Sequence, residues 1–265
     1  MGWGNAANVI TTNLDAGSDS PASARADLKA GFDELTAVIN GRGAASGVAS
    51  LDSTTKIPSA QLPASIVMRP RLVTSTGGSS TWTVPSGVTQ ILVRIWGAGG
   101  GGGYTSVGTG GDHGGGGGGG GYAEKYFDVV PGSVFNYTIG TGGTGKANSS
   151  DGDGQAGGDT TITSPASATP ASTTVTAGGG DKGYGPASSR FGGAGGLGSG
   201  GDIVMRGGAG MSGFTRGGSG GNAAGGGSPG QAGALKAEGY GGGGFGSGGG
   251  TSAFDGMNGT LVICY

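Results

Sequence analysis

Cysteine, histidine, charge and long apolar runs are all scarce in this chain. Cys264 is the only cysteine, which rules out an intramolecular disulfide and a cysteine-based metal cage. It reads instead as a small apolar residue in the last strand. His113 is the only histidine and lies in GGDHGGGG, so no second imidazole can join it in metal or acid–base chemistry. Charged residues make up 11%, with 14 Lys and Arg against 16 Asp and Glu. That balance lacks the basic excess needed to neutralise a run of phosphates, so nucleic acid is not an expected partner. No stretch approaches the roughly 18 apolar residues of a membrane span, and MGWGNAANVITTNLD has neither the basic flank nor the apolar core of a signal peptide. The expectation is a chain made and folded in a cytoplasm, without membrane insertion.

What the chain has instead is glycine, 72 of 265 residues. Ordering each residue costs roughly 1–2 kcal/mol of backbone conformational free energy, and glycine loses the most freedom. A glycine-rich tract is therefore disordered unless something compensates it. Two features point to order: a net charge of only -2 with seven Tyr, seven Phe and three Trp, and strand patterns that interrupt the glycines.

The glycines also have a period. Gly192, Gly195, Gly198 and Gly201 fall every third residue, as do Gly207, Gly210 and Gly213, then Gly227, Gly230 and Gly233, then Gly243, Gly246 and Gly249. The phase shifts between runs and proline numbers only ten, which excludes a long collagen helix. Short polyproline-II-type segments with three residues per turn fit the pattern. Such segments have no internal hydrogen bonds, but bare glycine faces let them lie side by side and pair N–H with C=O between segments. Mobile loops on a sandwich are the alternative.

Along the chain, Ser20 and Pro21 form an N-cap and first helical position, and Gly41 a stop. Between them Leu28, Phe32, Leu35 and Ile39 follow the four–three spacing of a coiled-coil seam. Two heptads do not stand alone, so the seam packs either on its own chain or between copies. Residues 42–72, with Pro58 and Pro63, read as an extended connector. From Ser79 the pattern is β: SSTWTV, the turn PSGV, TQILVRIW, then GYAEKYFDVV, the turn PG and SVFNYTIG. DTTIT (159–163), STTVT (172–176) and the terminal TLVICY add strands. In TQILVRIW both alternating sets are mostly apolar, so both faces of that strand should be covered. The expected fold is mainly β: a short N-terminal coiled-coil-like helix (1–41), an extended connector (42–72), and an antiparallel β-sandwich framework with packed glycine-rich polyproline-II-type segments (73–265).

At ILVRIWGAGGGGG the sequence resembles the glycine-rich C-terminal domain of bacteriophage tail fibres and adhesins, and GGGGGGYAEKYFDVVPGSVFNYTIGTGG, QAGGDTTIT and TAGGG continue the likeness. SLDSTTKIPSAQLP is similar to the segment where many tail fibres pass into a shaft or tip, so the likeness covers residues 50–265. The resemblance implies a homotrimeric virion protein of the tail fibre or baseplate. Its N-terminus would join the baseplate or a proximal fibre protein, and its distal domain would bind a lipopolysaccharide, outer-membrane protein or pilus of the host. Some related adhesins are instead monomeric tips of stacked polyglycine-II helices. Leu28, Phe32, Leu35 and Ile39 favour the trimer and are its candidate interface.

Chemistry is little in evidence. No GxxxxGK[ST] motif is present, and GxGxxG matches arise by chance at this glycine content. Asp151 and Asp153 do not complete a calcium loop and read as a turn lined by Asp. No catalytic residue, cofactor or metal is expected. A surface-polysaccharide depolymerase is the enzymatic alternative, and an antifreeze-like structural protein a third reading. The candidate receptor contacts are the bulky residues between glycine runs, Phe191, Leu197, Met205, Met211, Phe214, Tyr240, Phe245 and Phe254, with Arg190, Arg206 and Arg216 as partners for anionic groups.

Overall fold

The computed structural model describes residues 21–40, 70–106, 113–185, 191–213, 217–225, 239–248 and 251–265. The chain divides into two units, Met1–Val67 and Met68–Tyr265. In the first, helix α1 spans Pro21–Asn40 and ends one residue before Gly41. Leu28, Phe32 and Leu35 lie along it exposed to solvent. The side chain of Ile39 and the connector 42–69 lie outside the described residues.

The second unit is a β-sandwich prolonged by a glycine bundle. One sheet has the order β1-β12-β3-β5-β10, with β1 at Pro70–Thr74, β3 at Gln90–Trp96, β5 at Tyr122–Asp128, β10 at Ile203–Met205 and β12 at Thr260–Cys264. The other has the order β2-β6-β7-β8-β9, with β2 at Gly78–Thr83, β6 at Val134–Ile139, β7 at Thr160–Thr163, β8 at Thr174–Ala177 and β9 at Gly198–Ser199. All pairings within both sheets are antiparallel. Ile91, Val93, Ile95, Phe127, Leu261 and Ile263 of the first sheet meet Phe135, Ile139, Ile162 and Val175 of the second in one buried core. A short parallel pair, β4 (Tyr104–Thr105) with β11 (Ser247–Gly248), lies apart from the two sheets.

The Pro-Ser-Gly and Pro-Gly turns carry the chain from one sheet to the other and do not close hairpins. β2 pairs with β6, whereas β3 pairs with β5 and β12. Gly87 and Gly132 take φ values of +82° and +84°, which a Cβ would oppose, and the amides of Val88 and Ser133 close the turns onto the carbonyls of Pro85 and Val130. Strand β1 begins within the expected connector. Pro70 is tolerated there because it stands first in an edge strand, where its missing N–H costs no ladder bond. Both faces of β3 are covered, as its two apolar sets require. Trp96 packs on Tyr122 and Tyr240, and its indole N–H donates to the Ala224 carbonyl at 2.8 Å.

Most glycine tracts leave the sandwich as the continuation of a strand. Ten extended segments result: g1 (97–103), g2 (114–121), g3 (140–146), g4 (152–158), g5 (178–185), g6 (191–197), g7 (207–213), g8 (217–223), g9 (241–246) and g10 (253–259). Successive amides of g1 donate in rotation to g2, g4 and g10: Gly97 to Gly121, Ala98 to Gly158, Gly99 to Met257, then Gly100 to Gly118, Gly101 to Gln155 and Gly102 to Phe254. The rotation repeats every three residues, which is the turn of a polyproline-II-type segment. Its carbonyls accept from g3, g5 and g9, giving g1 six neighbours. In the same way g2 donates to g9, g5 and g7 and accepts from g1, g6 and g8. The ten segments therefore stack in three rows, g4-g5-g6, g3-g1-g2-g7 and g10-g9-g8, and consecutive segments run in opposite directions.

This arrangement explains both the glycine content and its period. Every residue of g1 and g2 is buried, and a Cβ on Gly117 or Gly118 would come within 2.1 or 2.0 Å of a main-chain oxygen. Outer segments have one free face per turn, so g6 alternates Phe191, Ala194 and Leu197 with pairs of glycines. The backbone hydrogen bonds of this lattice supply the compensation that the composition demands.

Candidate functional site

Because consecutive segments alternate in direction, the sandwich holds one end of the bundle and the chain reverses at the other. Five reversals gather there, between g1 and g2, g3 and g4, g5 and g6, g7 and g8, and g9 and g10. Residues 107–112, 186–190, 214–216 and 249–250 of these reversals lie outside the described residues, and with them Arg190, Phe214 and Arg216. The reversal 147–151 is described throughout and exposed.

The rim of the bundle is closed by side chains that accept from glycine amides. Asp255 and Asn258 of g10, three residues apart, take the N–H groups of Gly145 and Gly142 at 2.7 and 2.9 Å. Asp159 accepts from Gly179 and Asp153 from Gly185, each at 2.8 Å, and Asp151 accepts from Ser106 N–H. Asp151, Asp153 and Asp159 thus cap amides of the lattice, a role that the reading of Asp151 and Asp153 as a turn lined by Asp did not include. Among the described residues no group of three or more His, Cys, Asp or Glu is placed to hold a metal ion.

At the reversal end Lys182 pairs with Asp153 at 3.0 Å and lies over the Tyr184 ring. The Tyr184 hydroxyl donates to Asp181 at 2.9 Å. The Asp153 carboxylate raises the Lys182 ammonium above its usual pKa, and the hydrogen bond to Asp181 raises Tyr184. Both groups keep their protons near neutrality, the Tyr184 hydroxyl donating its own to Asp181.

The other candidate contacts divide by height along the bundle. Phe191 and Met211 stand on its reversal half, 60% and 66% exposed. Phe254 lies in the same half and packs against Phe245, which is buried, with ring centroids 6.4 Å apart. Leu197, Met205 and Arg206 stand near the sandwich, where the Arg206 guanidinium donates to the Gly195 carbonyl. Tyr240 packs on Trp96, so its ring and that of Phe245 serve the core. Sequence reasoning missed the capping aspartates, whose signal was the three-residue spacing of Asp255 and Asn258 in phase with the glycines.

A β-sandwich that prolongs its strands into a hexagonally packed glycine bundle, with five chain reversals at the end away from the sandwich, defines a glycine-rich structural or adhesive module. The chain belongs to the glycine-rich domain family, whose profile matches residues 74–263. No curated protein matches it significantly.

Proposed function

We propose that the protein is a bacteriophage tail-fibre protein whose glycine-rich unit is the receptor-binding tip, acting by adhesion and without catalysis. The observation that carries this reading is the gathering of five chain reversals at the end of the bundle opposite the sandwich. A backbone-bonded scaffold fixes the ends of those reversals while leaving their sequence free, which is what contact with a variable partner requires. The exposed Leu28, Phe32 and Leu35 of α1 support a homotrimer, in which three modest tips attach with high effective concentration. The N-terminal part then joins the baseplate or a proximal fibre protein, and the host ligand is a lipopolysaccharide, outer-membrane protein or pilus. The protein is made in the host cytoplasm and works in the virion.

The test is competition for adsorption. Purified full-length chain should block phage adsorption to host cells. A variant with Phe191→Ser, Met211→Ser and residues 147–151 replaced by a Gly/Ser stretch of equal length should lose that ability while its melting temperature stays within a few degrees of the wild type. Undiminished competition by a variant altered in all five reversals would sink the reading.

A further inference from the structure

We propose that the outer face of the second sheet is a binding site for a neutral oligosaccharide. The site goes beyond the adhesion proposed for the reversal end and does not depend on it. Its geometry follows from the register. Phe135, Ile139, Ile162 and Val175 lie in the buried core, so the residues beside them in sequence point outward. Two ranks of hydroxyl and amide side chains result. In one, Ser79 stands opposite Thr138 and Thr138 opposite Thr161; in the other, Thr81 stands opposite Asn136 and Asn136 opposite Thr163. Together they line a shallow trough of about 500 Å³, within the roughly 300–1,000 Å³ of small-molecule sites.

Asn136 sets this trough apart from an ordinary solvated face. Threonine suits an exposed sheet surface, but asparagine is depleted in strands because its side chain competes for nearby backbone groups. Asn136 nevertheless stands in the middle of β6, an interior strand of its sheet. Its side chain is exposed, and among the described residues its carboxamide has no hydrogen-bond partner. The hydroxyls of Thr81 and Thr161 are likewise unpaired there. By contrast, Ser79 is linked to Thr138, and Thr163 to Thr174, each at 2.9 Å. These links fix hydroxyls beside a carboxamide whose two donors and one acceptor are all available. Nothing in the described chain offsets the cost of asparagine at this position, whereas a bound ligand would.

The lining names the ligand class. No charged and no aliphatic side chain lines the trough, so neither a phosphate or carboxylate nor the apolar anchor of a peptide meets its complement there. An uncharged sugar does. Each of its hydroxyls donates and accepts at once, as do those of Ser and Thr, and the Asn136 carboxamide adds a donor and an acceptor at fixed points. The trough crosses three adjacent strands, β2, β6 and β7, and so fits an extended chain of sugar units.

The experiment measures binding of the full-length chain to immobilised oligosaccharides, a neutral set built of glucose, galactose and mannose and an acidic set carrying sialic acid or phosphate. The wild type should bind within the neutral set. Asn136→Ala should weaken that binding about fivefold, the usual effect of one lost hydrogen bond. Thr138→Val with Thr161→Val, which keeps shape and strand propensity, should weaken it further at an unchanged melting temperature. Replacing residues 147–151 by a Gly/Ser stretch should leave it as it was. Binding to no neutral sugar, equal or tighter binding to the acidic set, or binding that survives Asn136→Ala, Thr138→Val and Thr161→Val together overturns the site. Each of those results leaves the reversal-end reading standing, because competition for phage adsorption decides that reading separately.

Discussion

At the scale of single residues, tolerance is decided by what a Cβ would meet. On Gly195 it would lie 1.8 Å from the Gly207 carbonyl oxygen, and that obstacle is main chain and cannot rotate away. Gly195→Val should therefore cost more than the ~1–3 kcal/mol of ordinary overpacking and abolish soluble folding, whereas Val in place of its exposed neighbour Ala194 should stay within about 0.5 kcal/mol. Thermal melts of the two variants check this, and equal stability would refute the lattice. Asp202 gives a second residue-level expectation. The Lys125 ammonium, then the Tyr126 amide, hold its carboxyl below the usual range. A depressed folded value means that the contribution is complete above the ordinary carboxylate pKa of about 3.9 and disappears as the pH falls through the lower folded value. Asp202→Asn should melt below the wild type at pH 7, and the gap should close on acidification beneath that range. A gap independent of pH would assign the effect to packing alone.

At the scale of elements, α1 carries the oligomerisation prediction. Leu35 is 55% exposed in the single chain, and burying it between copies would make each Leu→Ala loss worth about 2–5 kcal/mol per chain. Leu35→Glu should reduce the mass seen by light scattering from three chains to one, and a wild type that is already monomeric contradicts the seam. Most elements were legible in the sequence because their signals are local. Pro21 and Gly41 bracket α1, and alternation marks β3, β5, β6 and β12. The three-residue glycine period announced g6, g7 and g9, while its run at Gly227, Gly230 and Gly233 lies outside the described residues. Three things were not legible. β10 is three residues long within glycine-rich sequence, too short for any alternation to register. The crossing of the PSGV and PG turns between sheets is a long-range choice, made by the buried meeting of Ile91 and Phe127 with Phe135 and Ile162. Which bulky side chains face solvent depended on lattice position, so Phe245 and Phe191, alike in sequence setting, end up buried and exposed.

At the scale of the whole molecule, the proposed function assigns stability to the lattice and recognition to the reversals. The reversals contribute few of the bonds that hold g1 and g2, so equal-length replacement of 147–151 should shift the melting temperature by no more than a few degrees, readable by calorimetry. A collapse of the fold on that change would show that the reversals brace the bundle. The same calorimeter should record something else. Unfolding hydrates apolar surface, which raises the heat capacity, and peptide groups, which lowers it, for a usual net of about 12–15 cal/mol/K per residue. A bundle whose interior is nearly all peptide, with glycine at almost every position of g1 and g2, exposes little of the first kind on melting. The heat-capacity increment per residue should fall below the usual range, and the curve of stability against temperature should be correspondingly flat. Such a tip would hold its shape almost equally well in cold water and at the body temperature of a warm-blooded animal.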